Sequence, residues 1–147
     1  MNLPQIVIGV FIVLELTNVI SLYFNPETKK GNSIGVFKAW EKSKNDPEIH
    51  HFVKYLVNWI AGTKLIFIFL LVVILLTANQ ATLNLTLIAL VLSITSFFWR
   101  LFPLIKQMDN NNEIQPKNYS TTLFLMILAI IIVMLTTLSL SLLIGFN

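Results

Sequence analysis

Residues 46–77 read DPEIHHFVKYLVNWIAGTKLIFIFLLVVILLT, a helix start joined without a break to an apolar run long enough to cross a bilayer. Asp46 has the chemistry of an N-cap, Pro47 suits the first helical position, and Glu48 places an acid in the first turn. The helix is therefore expected to begin one or two turns before the apolar run and to project from the membrane. One lysine, Lys64, stands in the middle of that run. The other long apolar runs hold one further mid-run charge, Glu15.

Composition agrees with a membrane class. Of 147 residues, 56% are hydrophobic and only 12% charged, with mean hydropathy +0.78; soluble domains carry about 25% charged residues. The absence of cysteine excludes disulfides, thiolate metal sites and a cysteine nucleophile. The first apolar run, Leu3 to Phe24, lacks a basic start and a small-residue cleavage pattern, so it reads as an uncleaved span. Within it Glu15, Asn18 and Ser21 recur every third residue and share one side. A carboxylate in such a run is expected to face other helices or water.

The segment from Asn25 to Asp46, NPETKKGNSIGVFKAWEKSKND, is the densest run of charge in the chain. Ser33 is a candidate cap for a short amphipathic helix, with Val36, Phe37, Ala39 and Trp40 on one side and Lys38, Glu41 and Lys42 on the other. That pattern predicts a helix lying at the membrane interface, Trp40 at headgroup depth and the lysines toward anionic lipid. An anchor linking two spans and a lid or lipid-headgroup contact both fit it. Gly31 and Gly35 have dimerisation spacing but stand in a polar loop, where it carries no weight. His50 and His51, adjacent on a helix, point about 100 degrees apart and cannot chelate one ion.

After the turn TANQATL (77–83), a third span is expected over 82–104. Its stripe of Thr82, Thr86, Ala89, Ser93, Ser96 and Arg100 predicts a close packing seam or a polar pathway. Trp99 and Arg100, followed by Pro103, suggest a helix end at the membrane surface, where the arginine can snorkel or bind lipid phosphate. Residues 105–120 read as a polar connector. The fourth span, 121–144, is uncharged, and Thr122, Ala129 and Thr136 at heptad spacing are expected on its inward side. The fold class is thus all-α, a single membrane domain of four transmembrane helices (spans 3–24, 52–77, 82–104 and 121–144) with a short interfacial helix between the first two.

Basic residues set the expected orientation. Lys29, Lys30, Lys38, Lys42, Lys44 and Lys54 crowd loop 25–51 and its exit, and Lys106 and Lys117 lie in loop 105–120; residues 77–83 and the C-terminal end have none. The positive-inside rule puts both charged loops in the cytoplasm and both termini outside, in a bacterial or archaeal cytoplasmic membrane. At about 1.5 Å per residue, Glu15 and Lys64 then each lie about 13–15 Å from the cytoplasmic surface. They share a level near the midplane of a core about 30 Å thick, where pairing lowers the insertion cost of both.

Three function classes follow. One is a homo-oligomeric transport or permeation protein using Glu15, Asn18, Lys64, Ser93 and Ser96 as an intramembrane polar site. Another is a non-catalytic scaffold or accessory subunit that engages anionic lipid headgroups or a membrane partner protein through Trp40, Lys38, Lys42, Trp99 and Arg100. The third, a lipid-modifying enzyme, lacks a recognisable nucleophile–base set. No catalytic residue, metal site or cofactor is expected. Nucleic acid is not an expected partner, because Glu27, Glu41, Asp46 and Glu48 balance the loop lysines.

Overall fold

Asp46 caps the long helix as its sequence predicts, Oδ1 accepting from the backbone N–H groups of Glu48 (3.0 Å) and Ile49 (3.2 Å). The computed structural model describes residues 2–29 and 31–145. Its helices are α1 (Leu3–Phe24), α2 (Lys38–Ser43), α3 (Pro47–Thr77), α4 (Gln80–Thr95), α5 (Phe97–Asn110) and α6 (Tyr119–Gly145), with a 3₁₀ turn at Ile34–Val36. Among the described residues there is no strand, only an isolated antiparallel bridge between Phe37 and Ile114. Four helical stretches are long and apolar enough to cross a membrane: Leu3–Phe24, Pro47–Thr77, Gln80–Asn110 and Tyr119–Leu143. Large apolar side chains cover the outer faces of all four, an arrangement suited to lipid rather than water.

The bundle is built on two tight helix pairs, α1 with α3 and α4 with α6, joined mainly where α1 meets α6. On α1 the seam runs Ile8, Ile12, Glu15, Val19, Leu22; on α3 it runs Val57, Ala61, Lys64, Ile68, Leu71. Both follow steps of four and three, the spacing at which side chains of crossing helices interdigitate. The apolar members of both seams are buried. Glu15 and Lys64 occupy the middle position of each seam, so the packing that joins α1 to α3 also brings the two charges together. Phe11 and Phe67 stack edge to face beside them, centroids 6.4 Å apart.

The third stretch departs from the expected single span ending near Pro103. The helix is interrupted at Ser96, resumes at Phe97 and runs through Pro103 to Asn110. An interior proline costs about 3 kcal/mol. Here α5 carries Phe97, Phe98 and Phe102 into an aromatic cluster with Phe124 of α6, with centroid distances of 5.3–6.0 Å, each pair contributing about 0.5–1.5 kcal/mol beyond its burial. It also buries Ile105 against Val36, Ile114, Tyr119 and Leu123. These contacts offset the proline.

The same cluster corrects the reading of 105–120 as a mere connector. Lys38 N–H donates to the Glu113 carbonyl (2.9 Å) and Gln115 N–H to the Val36 carbonyl (2.8 Å). Asp109 accepts from the backbone N–H (2.9 Å) and hydroxyl (2.6 Å) of Ser120, and Tyr119 Oη donates to the Gly31 carbonyl (3.1 Å). The two charged loops thus fold together as a cap over one end of the bundle. Gly35 sits so close beneath the backbone of Glu27 and Thr28 that a Cβ there would overlap it.

Trp40 also differs from expectation. Its side chain is 3% exposed, packed into the main core with its ring 5.1 Å from that of His50, so it is an internal strut rather than an exposed lipid contact. The hydroxyl of Ser43, on the same short helix, lies 2.9 Å from His50 Nδ1 and ties α2 to α3. Ser33 makes no N-cap bond; its hydroxyl donates to the Thr28 carbonyl. Helix α2 is correspondingly shorter than predicted.

The packing faces of α4 and α6 lie beside the small-residue stripes rather than on them. Leu83, Leu87 and Leu90 are the buried residues of α4, whereas Thr82 and Ala89 are exposed. Thr86 Oγ1 donates to its own helix at Thr82, which removes the need for a partner across the interface. On α6, Leu123, Met134, Thr137 and Ser141 face inward, while Thr122, Ala129 and Thr136 are exposed. Leucine burial outweighs what backbone-satisfied hydroxyls gain by packing.

Candidate functional site

Lys64 Nζ donates to Glu15 Oε2 at 2.6 Å and to Asn18 Oδ1 at 2.8 Å. Asn18, one turn along α1 from Glu15, passes the link on: its Nδ2 donates to the backbone carbonyl of Asn32 (2.8 Å). A continuous polar chain therefore runs from α3 through α1 to the loop cap. Short charge-assisted bonds of this kind are stronger than neutral ones.

The chain is not sealed. Glu15 and Lys64 side chains are 25% and 26% exposed, and what exposes them is a half-open cavity of ≈ 530 Å³ between α1, α4 and α6. Glu15, Thr17, Asn18, Ser21, Lys64 and Ser93 supply its polar wall. Leu14, Ile94, Phe97, Met126 and Ile130 are among its apolar residues, and Thr28, Gly31 and Asn32 close it at the cap. A mostly apolar hollow with a few converging polar groups is the usual form of a small-molecule site.

The structure brings together Glu15, Asn18, Lys64 and Ser93 of the expected polar site. It leaves out Ser96, which sits at the helix interruption with its hydroxyl donating to the Ser93 carbonyl (2.6 Å) and does not line the cavity. The remaining expected surface residues lie apart from it. Lys38 is half-buried, Lys42 is exposed, and Trp99 is 77% exposed with the Arg100 guanidinium 5.6 Å from its ring. That separation is close enough for a cation–π contact.

Sequence reasoning missed two parts of the arrangement. The cap residues Thr28, Gly31 and Asn32 carry no helical pattern, and only the fold delivers them to the cavity. At the opposite end of the bundle Asn2, Gln80, Asn84 and Ser141 form a polar clasp: Ser141 Oγ donates to Asn84 Oδ1 (2.7 Å), Gln80 Nε2 donates to Ser141 Oγ (2.7 Å), and Asn2 Nδ2 donates to Gln80 Oε1. The i, i+4 spacing of Gln80 and Asn84, in line with Leu87, was the available signal. On the cap, Lys44 bonds both Glu27 (2.7 Å) and Glu41 (3.2 Å). The hydrogen bond donated by Lys44 holds the Glu27 carboxyl below its ordinary range, and the same bond to Glu27 raises the Lys44 ammonium.

Among the described residues no three histidine or carboxylate side chains gather in a way that could hold a metal ion. No protein-family model, curated protein or solved structure matches the chain. The fold and the cavity are therefore the basis for assigning a role.

Proposed function

We propose that this chain is a multi-pass membrane protein that holds a small polar solute or ion at Glu15, Asn18 and Lys64 during its passage across the bilayer. The observation that carries this reading is the cavity at the pair. A carboxylate and an ammonium serving only to join α1 to α3 need no open space beside them, yet these two border a hollow of ≈ 530 Å³. Four spans make a thin wall, so a symmetric homo-oligomer is part of the proposal. The charged cap faces the cytoplasm in this reading, with both ends of the chain outside.

The test is uptake of protons and of small polar solutes by reconstituted vesicles. Uptake above protein-free vesicles that is lost in Glu15→Gln, with the variant still accumulating and folding, supports the site. Equal uptake by the parent and Glu15→Gln contradicts it.

A second reading, an accessory subunit or scaffold that engages anionic lipid or a partner protein, draws on the folded cap, where Lys42 is exposed and Arg100 stands beside Trp99. Loss of co-purifying anionic lipid or protein in Lys42→Gln with Arg100→Gln, with vesicle uptake unchanged, would favour it.

A further inference from the structure

The polar cavity does not end at its apolar wall. Phe11, Leu14 and Ile130 also line a second hollow of ≈ 290 Å³, which is wholly apolar and continues between α1 and α6 past Val10 and Ala129 to Val7 and Val133. Val10 and Val133 are each more than half exposed, so this groove opens sideways on the outer face of the bundle. An apolar trough open to the lateral surface thus adjoins, at Phe11, Leu14 and Ile130, the hollow that holds an ammonium and a carboxylate.

We infer that the occupant is a neutral amphiphile, a hydroxyl-bearing head on a single apolar chain, which enters from the bilayer rather than from water. The inference rests on the polar-site reading above and narrows its ligand to a neutral, hydroxyl-bearing molecule, to the exclusion of ions. The head is fixed by the valences left over. Lys64 has three N–H donors and spends two, on Glu15 and Asn18; among the described residues, Glu15 Oε1 accepts no hydrogen bond. One donor and one acceptor side by side match a hydroxyl, which accepts from the first and donates to the second. The pair is net neutral, so a charged head would bring an uncompensated charge into a site that is three-quarters buried, which disfavours it. The trough offers no polar atom to a ligand and suits only hydrocarbon.

The experiment uses a monoacylglycerol with a diazirine in its chain, added to the full-length protein in neutral-phospholipid nanodiscs, with labelled peptides mapped by mass spectrometry. The expected result is labelling concentrated on residues 7–14 and 129–134. It is competed by unlabelled monooleoylglycerol but not by oleate, and reduced at least tenfold by Ala129→Phe or Val133→Trp, which plug the trough from exposed positions. Uniform labelling of lipid-facing helices, insensitive to either plug, would mean bulk-lipid contact and overturns the inference. Absence of label from the groove, as a second copy seated there would give, also overturns it. Competition by glycerol as effective as that by monooleoylglycerol overturns the chain requirement while leaving the polar site intact. Failure of the polar site itself is read separately, from vesicle uptake in Glu15→Gln.

Discussion

Replacing Lys64 by methionine removes the ammonium from a seam position while keeping an unbranched side chain of similar length. Two unit charges about 4 Å apart attract by about 4 kcal/mol at an effective dielectric constant near 20, and removing one partner of a fully buried pair costs about 3–5 kcal/mol. Here the side chains are a quarter exposed to the cavity, so water screens part of that. Lys64→Met also strips Asn18 Oδ1 of its donor, worth about 1 kcal/mol. The expected cost is about 3 kcal/mol for Lys64→Met and about 2 kcal/mol for Glu15→Gln, which leaves the ammonium bonded to Asn18. The double variant leaves no unpaired charge and is expected at about 3 kcal/mol, so the coupling is about 2 kcal/mol. Unfolding in mixed micelles titrated with a denaturing detergent measures all four proteins. Additivity of the two single changes to within about 0.5 kcal/mol would refute the claim that the residues act as a pair.

The packing faces make further predictions. Trp40→Ala is expected to cost about 3–5 kcal/mol of stability, whereas a headgroup anchor would leave unfolding almost unmoved; thermal unfolding in detergent decides. Leu87→Ala should cost about 2–5 kcal/mol and Thr86→Ala less than about 0.5 kcal/mol, reversing the order a threonine seam would give. The Glu27 carboxyl titrates below its ordinary value of 4.5 because Lys44 bonds the charged form. Its contribution to the cap is therefore present above that value and is lost as the pH falls through the lower, folded one. Hydrogen exchange of residues 27–44 should accelerate in that acid window, and Glu27→Gln should flatten the response.

Much of the fold was legible because the signals were local. The Asp46-Pro47-Glu48 start, the length of four apolar runs and the shared level of Glu15 and Lys64 each follow from residue spacing. The steps of four and three through Ile8, Ile12, Glu15, Val19 and Leu22, and through Val57, Ala61, Lys64, Ile68 and Leu71, were equally available and show why the two charges meet. Other features depend on what a residue finds in three dimensions. Trp40 carries the pattern of a surface anchor until α2 folds back on His50. The hydroxyls of Thr86 and Thr136 turn to their own helices, leaving the seams to Leu83, Leu87 and Leu90 on α4 and to Leu123, Met134, Thr137 and Ser141 on α6. Pro103 looks like a helix end, but the phenylalanines around it hold α5 together. The cavity depends on Thr28, Gly31 and Asn32, of which Gly31 is held by Tyr119, far away in sequence, and Asn32 by Asn18 on α1.

The central claim is that a polar, accessible hollow lies beside Glu15 and Lys64 inside a bundle whose outer faces are otherwise apolar. Because the chain contains no cysteine, a single Ser93→Cys change reports on that hollow alone. Leu92→Cys, on the neighbouring outward face where the native side chain is 68% exposed and outside the cavity, reports on the lipid side. The decisive measurement is the rate at which a small hydrophilic methanethiosulfonate modifies each thiol in native membranes. Rapid modification at position 93 with position 92 inert is the predicted result, since a thiol reacts as the thiolate and needs water to ionise. Equal rates at both positions, or no modification at position 93, would contradict it.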